Sequence, residues 1–322
     1  MSAPAGLALA DFRRDAPLER VLGTHAGSGS GPLLVVLAGL HGNEPAAIVA
    51  CRRVLRELAT RRPAFTGRFV ALSGNRAALA KGVRGVDRDL NRLWSRQQIS
   101  DARALAPEQR DTEARELVEL AEVLEREFAR APGPVTVLDL HSTSGAGPPF
   151  TLLVDPERAL ALARALDVPA LRGLQLILGD TLAEWAFGLG HRALVLEGGQ
   201  NETEATVDHH EAALWIALVE LGLVAERDVA ELAGHRARLA NAAGTLPRVL
   251  ELCHRHVLAP GERFEMVPGW ASFDAVREGD LVARSGPSLE REVRAPMSAT
   301  MLMPRYQGQG LDGYFLARAV GH

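Results

Sequence analysis

Cysteine is scarce in this chain: Cys51 and Cys253 lie far apart, and neither belongs to a C-x-x-C pair. A disulfide framework and a cysteine-ligated metal are both excluded as organising devices. Basic runs are missing as well. The net charge is −4 and the isoelectric point near 6.2, which argues against a nucleic-acid surface. No stretch of membrane-spanning length is free of charge. The N-terminal residues 1–10 are mildly apolar but lack a basic leader, and Asp11-Phe-Arg-Arg-Asp15 follows at once, so a secretory signal is not expected. Internal repeats and low-complexity tracts are absent too. With 47% hydrophobic and 24% charged residues, the expectation is a soluble, cytoplasmic globular protein with no nucleic-acid or membrane partner.

What is present is an alternation of strand and helix patterns through the first three-quarters. Apolar runs at 32–40, 67–72, 135–140, 150–154 and 193–196 read as strands. Segments 46–58, 112–131, 159–166 and 205–221 have helical periodicity, and 225–244 looks like a helical connector. Continuous apolar strands separated by helices predict an α/β fold with a mostly parallel sheet covered on both faces. Beyond about residue 246 the texture changes to short alternating segments broken by Pro260-Gly261, Pro268-Gly269 and Gly286-Pro287, which predicts a small all-β domain. The expected organisation is therefore an α/β domain over 1–245 and a β domain over 246–322.

Chemistry concentrates at strand ends, where ligands of open α/β sheets bind. The run Leu34-Val-Val-Leu-Ala-Gly-Leu-His41-Gly-Asn-Glu44-Pro places an imidazole after a buried strand and a carboxylate three residues on, at a helix start. A second histidine ends the apolar run Val135-Thr-Val-Leu-Asp139-Leu-His141. His41, Glu44 and His141, with a fourth position left to water, are the donor composition of a catalytic zinc site. The stretch Arg84 to Trp94 is dense in arginine. Arg84, Asn91 and Arg92 read either as a carboxylate-recognition fork or as a solvated charged loop. In Leu194-Val-Leu-Glu197-Gly-Gly, a carboxylate leaves an apolar strand into two glycines. It is either a poorly solvated general base or a turn cap.

Taken together and in order, His-Gly-Asn-Glu, the arginine stretch with Asn91-Arg92, Asp-Leu-His and strand-Glu-Gly-Gly resemble the succinylglutamate desuccinylase/aspartoacylase family, a branch of the zinc carboxypeptidase-like fold. The tail from Leu302 to Phe315 resembles that family's C-terminal β domain. The resemblance implies one zinc per chain on His41, Glu44 and His141. It implies that Arg84 polarises the scissile carbonyl, that Asn91 and Arg92 grip the substrate's α-carboxylate, and that Glu197 is the general base. Asp89 would support the arginine loop. The implied activity is zinc-dependent hydrolysis of the amide of an N-acyl amino acid or similar small carboxylate. The alternatives are a peptide-cleaving zinc carboxypeptidase and a non-catalytic binding protein on the same fold. A homo-oligomer is compatible with the sequence.

One departure stands out. Aspartoacylases carry a substrate-gripping arginine about ten residues before the catalytic glutamate, and here that place falls near Phe187. Arg172 and Arg192 are out of register, so selectivity for N-acetylaspartate does not follow. Tyr306 is the tail residue that could reach the pocket as a tyrosine does in the family. The remaining histidines read as bystanders: His209-His210 as surface near a helix start, His191 as structural, and His254 and His256 as one polar sheet face. Cys51 reads as core.

Overall fold

The computed structural model describes residues 7–27, 30–173 and 179–320. Part of the N-terminal stretch read against a secretory signal, residues 1–6, lies outside them. The first half of the described chain forms β1 (Val21–Ala26), β2 (Leu33–Ala38), α1 (Ala46–Arg61), β3 (Arg68–Ser73), α2 (Arg76–Lys81), α3 (Arg96–Ala104), α4 (Thr112–Arg130) and β4 (Val135–Thr143). It continues through β5 (Phe150–Leu152), α5 (Leu160–Leu166), β6 (Ala170–Arg172), α6 (Leu182–Gly188), β7 (Arg192–Gln200), α7 (Glu204–Glu220) and α8 (Leu232–Ala243). The last part is all strand: β8 (Val249–Val257), β9 (Phe264–Met266), β10 (Ala275–Val276), β11 (Leu281–Ser285), β12 (Arg291–Arg294), β13 (Ala299–Leu302) and β14 (Asp312–Ala319).

One large sheet runs β1-β3-β2-β4-β7-β5-β6-β8-β14-β13-β10. Its centre, β3-β2-β4-β7, is parallel throughout. Side chains of β2 alternate between two cores, as strand geometry requires. Leu34, Val36 and Ala38 pack towards α1, α5, α7 and α8, whereas Leu33, Val35 and Leu37 pack towards α3, α4 and α6. Burial on both faces is why β2 is apolar at every position. Three strands, β12-β11-β9, form a separate small sheet with its own apolar cluster around Met266, Val282 and Tyr314.

The fold is thus the α/β architecture expected, with a small β sheet appended; the large sheet is parallel at its centre and antiparallel at β1-β3, β5-β7 and from β8 to β10. The expected boundary after residue 245 falls between α8 and β8. The large sheet itself continues across that point, because β8 pairs in parallel with β6 and β14 pairs with β8. Short elements such as β1, α3 and α6 carry too few residues for a period to be read from the sequence.

Candidate active site

The parallel centre of the sheet points its carboxyl ends at one cleft of about 990 Å³. His41 lies three residues beyond β2, in a turn that leads into α1. Gly42 is required there, because a Cβ would come within 2.0 Å of the Ala78 backbone in α2. Pro45 caps α1 and brings Glu44 back beneath the strand end. His141 sits inside β4 rather than at its end, directly opposite Glu197 of β7. Glu197 in turn does not leave the strand, which carries on through Gly198 and Gly199 to Gln200. These four side chains are buried.

The carboxylate of Glu44 joins the two rings. Its Oε1 lies 2.8 Å from His41 Nδ1 and its Oε2 3.0 Å from His141 Nδ1. All three residues offer a ligand atom within 4.8 Å of one another, so the group could hold a metal ion. Each far ring nitrogen faces a carboxylate: His41 Nε2 is hydrogen-bonded to Asp89 Oδ1 at 3.1 Å, whereas His141 Nε2 lies 3.1 Å from Asp139 Oδ2 without a hydrogen bond to it. Carboxylates behind imidazoles fix the tautomer and sharpen the facing nitrogen as a ligand. Burial alone would raise Glu44, but His41 and His141 hold it well below the usual carboxylate range. Burial likewise opposes charge on His141, yet Asp139 and Glu44 hold its ring well above the ordinary value.

Glu197 stands apart from this network. Its Oε2 is buried without a hydrogen-bond partner among the described residues. Burial pushes its carboxyl up, His141 pulls it down, Glu44 pushes it up again, and the result is about 7. A carboxyl that titrates near neutrality, with one oxygen uncommitted, has the properties of a general base.

The arginine stretch is packed rather than solvated. Buried Glu113 of α4 accepts the backbone N–H groups of Val86, Asp87 and Arg88 at 2.7, 2.9 and 3.1 Å and so shapes the loop. Arg84 lies 2.9 Å from Asp89 Oδ2 and 3.8 Å from Glu44 Oε1, which brings its guanidinium to the edge of the His-Glu-His group. Burial would raise Asp89, but Arg84 and His41 keep it well below its ordinary value. Asn91 Oδ1 accepts from Leu182 N–H, and its Nδ2 lies 3.3 Å from His141 Nε2. Arg92 lines the cleft and reaches Asp312 of β14 at 3.4 Å.

The tail supplies the opposite wall. Asn43 Nδ2 donates to Gln307 Oε1 at 2.8 Å. Gln309 grips the arginine loop at both ends of its amide, accepting from Arg84 N–H and donating to Gly85 C=O. Tyr306 does not line the cleft; its hydroxyl is turned towards the carbonyls of Val267 and Trp270, 3.0 and 3.1 Å away, and donates its one proton between them. Neither Arg172, at the end of β6, nor Arg192, at the start of β7, lines it either.

Two readings of bystander residues need revision. His210 is buried rather than on the surface, and its Nε2 lies 3.0 Å from the His141 carbonyl. His209 is half-buried, with Nδ1 2.7 Å from the Gly198 carbonyl. Burial lowers His210 to about 4, so at neutral pH it is an uncharged donor. His254 and His256 do flank one face, but His256 stacks on Tyr314, with ring centroids 5.0 Å apart. The sequence reading names Asp139 within the Asp-Leu-His motif but gives it no role, although it shares a strand face with His141 two residues on. Gln307 and Gln309 carried no sequence signal. A second acidic group, Asp87, Asp111 and Glu113, is occupied by backbone N–H groups of the loop and of α4.

Residues 30–220 match the model of the succinylglutamate desuccinylase/aspartoacylase catalytic domain. Succinylglutamate desuccinylase of Paraburkholderia xenovorans is 27% identical over 271 residues, covering 79% of this chain and 72% of that one. The Pseudomonas paraeruginosa enzyme of the same name is 40% identical over 62 residues, and the match spans 19% of either length. Among solved structures, a succinylglutamate desuccinylase/aspartoacylase from Rhodobacter sphaeroides superposes with a TM-score of 0.65 at 19% identity, covering 92% of this chain and 88% of that one. An aspartoacylase family protein from Mesorhizobium loti gives 0.62 at 21% identity, with 93% and 88% covered.

Proposed function

The chain belongs to the succinylglutamate desuccinylase/aspartoacylase family, and from that premise we propose that it is a zinc-dependent amidohydrolase releasing the acyl group from an N-acyl amino acid or similar small carboxylate. One observation carries the reading. A buried His-Glu-His group and a carboxyl poised near neutrality with an uncommitted oxygen face the same cleft.

The donor set suits zinc. His41 Nδ1, a Glu44 oxygen and His141 Nδ1 would hold it, with Asp89 and Asp139 behind the rings. Zinc on three protein ligands supplies an acidified water and polarises a carbonyl. The protein's own groups do the rest. Glu197 takes the proton of the attacking water on its free oxygen and returns it to the leaving amine. Arg84 stabilises the charge that grows on the carbonyl oxygen, a contribution of about 3 kcal/mol for one such donor. With Nδ1 of His141 turned to a metal, its Nε2 would carry the proton and face Asp139 Oδ2, 3.1 Å away. The amide N–H of Asn91 is then released to a substrate carboxylate, beside the Arg92 guanidinium.

The assay is a panel of N-acetyl and N-succinyl amino acids, followed by release of free amine, with chelation and with zinc restored. Hydrolysis that disappears on chelation and returns with zinc supports the proposal. Full activity in chelator would remove the metal from the mechanism. Preference for peptides of four or more residues would move the carboxypeptidase reading to first place. The wall formed by Arg305 to Asp312 argues against that outcome, because it narrows the space next to Arg84 and Arg92.

A further inference from the structure

The two strands that present His141 and Glu197 pair residue for residue up to those positions, and then the register slips. His141 is opposite Glu197, but Thr143 is opposite Gln200, so β7 carries one extra residue immediately after Glu197. A bulge at this place aims both side chains, and it interrupts the ladder that would otherwise hold them still. The carbonyls on either side of the interruption, His141 on β4 and Gly198 on β7, each accept from one of two adjacent histidines of α7.

The helix is laid across the bulge by a polar stripe. Thr203, Thr206 and the pair His209-His210 recur every three or four residues, which puts them on one face. The Thr206 hydroxyl donates to the Gln200 carbonyl at 2.7 Å, one step beyond the bulge. Gly198 shows how tight the seating is: a Cβ there would lie 2.3 Å from His210 Nε2. Gly199 has φ +131°, and a Cβ on it would lie 2.9 Å from the Thr206 hydroxyl. The two glycines after Glu197 are therefore what lets the helix approach.

We propose that His209 and His210 are positioning residues that replace ladder hydrogen bonds at the bulge: His210 through its Nε2–H fixes the backbone of His141, and His209 through its Nδ1–H fixes the backbone next to Glu197. The roles of His141 and Glu197 rest on the function proposed above; the hydrogen bonds do not. The division of labour is specific. His210 acts on metal affinity and His209 acts on proton transfer, although they are neighbours on one helix.

The side-chain amide of glutamine places an N–H where histidine has Nε2, and that of asparagine places one where it has Nδ1. His210→Gln and His209→Asn should therefore keep what His210→Leu and His209→Leu lose. Zinc affinity, read by chelator competition, should fall about 10- to 100-fold in His210→Leu and recover in His210→Gln. In His209→Leu, kcat should fall by about 10- to 100-fold with KM and zinc affinity unchanged, and His209→Asn should restore it. Nitrogen NMR of the wild-type protein should show an Nε2–H ring at 210 and an Nδ1–H ring at 209. Leucine variants that lose only thermal stability, amide variants no better than leucine, or the opposite tautomers would each overturn the proposal. A wild-type protein that binds no zinc and cleaves no acyl-amino acid sinks the functional reading instead, and the tautomers still decide the hydrogen bonds.

Discussion

The strand ends that carry His41, His141 and Glu197 face the tail loop from Arg305 to Asp312 across one cleft, and the two walls are held by different means. On the strand side His41, Glu44, His141 and Glu197 are buried, faced by carboxylates or imidazoles, and set by a parallel sheet covered on both faces. On the tail side the contacts come from long, partly exposed side chains: Gln307 on Asn43, Gln309 on the Arg84–Gly85 backbone, and Asp312 shared between Arg92 and Arg255. Rigid backbone can hold a reacting atom to within a fraction of an ångström, which chemistry demands. Side-chain hooks hold a wall well enough to select a substrate. Damage on the strand side should therefore appear in metal content and kcat, and damage on the tail side in KM and selectivity.

The harshest way to break this contrast is His141→Ala. It should strip zinc and abolish turnover, and metal analysis that still finds one zinc per chain would remove His141 from the site. Glu197→Gln comes next. It should keep zinc and substrate affinity and lower kcat by about 10²- to 10⁴-fold. The same variant has a signature in stability. Folding raises this carboxyl from 4.5 to about 7, so the folded protein disfavours its ionised form. That penalty is absent below 4.5, grows as pH rises towards 7, and is complete above it, where it amounts to about 3 kcal/mol at most. With zinc removed, Glu197→Gln should be more stable than wild type in denaturant at pH 8, and the two should converge near pH 4.5. A gap that widens on acidification contradicts the buried-acid description.

Arg84 and Arg92 sit where the two walls meet, and comparing them sharpens the boundary. Arg84→Ala should lower kcat about 100-fold, because its partner charge exists only during reaction. Arg92→Ala should mainly raise KM for substrates bearing a carboxylate, because that contact is made before and during reaction alike. Equal effects on KM alone would show the roles to be misassigned. The mildest change is the double substitution Gln307→Ala with Gln309→Ala, which removes three hydrogen bonds worth about 1 kcal/mol each. It should raise KM several-fold and improve the cleavage of tripeptides relative to acyl-amino acids, with zinc retained. Side-chain changes are the right instrument here. Deleting everything after residue 246 would strip β8 and β14 from the main sheet and Phe315 from its core.

The same contrast explains what could be read in advance. The strand side announces itself locally: a buried run, a turn forced by glycine, and a histidine and glutamate three apart need only a dozen consecutive residues. Asp139 was legible in the same way, because period two puts it on the face of His141, yet an isolated aspartate in an apolar strand attracts no attention without its partner. The histidine pair of α7 was misjudged because a polar helix start looks exposed until the bulge beneath it is known. Its spacing from Thr203 and Thr206 was the available signal. The arginine loop left two readings open, and what decides between them is Glu113, buried in a helix whose pattern gives no hint that a carboxylate faces inward to three backbone N–H groups. The glutamine hooks join residues more than two hundred positions apart, and no pattern within one segment can register that.

That separation along the chain has a consequence in time. His41, Glu44, His141 and Glu197 have all been synthesised by residue 197, whereas the loop that walls the cleft begins 108 residues later, at Arg305. At translation rates of about 5–20 residues per second, that interval is roughly 5–20 s. For that span a nascent chain would have His41, Glu44 and His141 on hand while the cleft stays open along its whole length. Under the function proposed above, the order of synthesis would therefore put the side chains of the His-Glu-His group in place before the wall that selects a substrate.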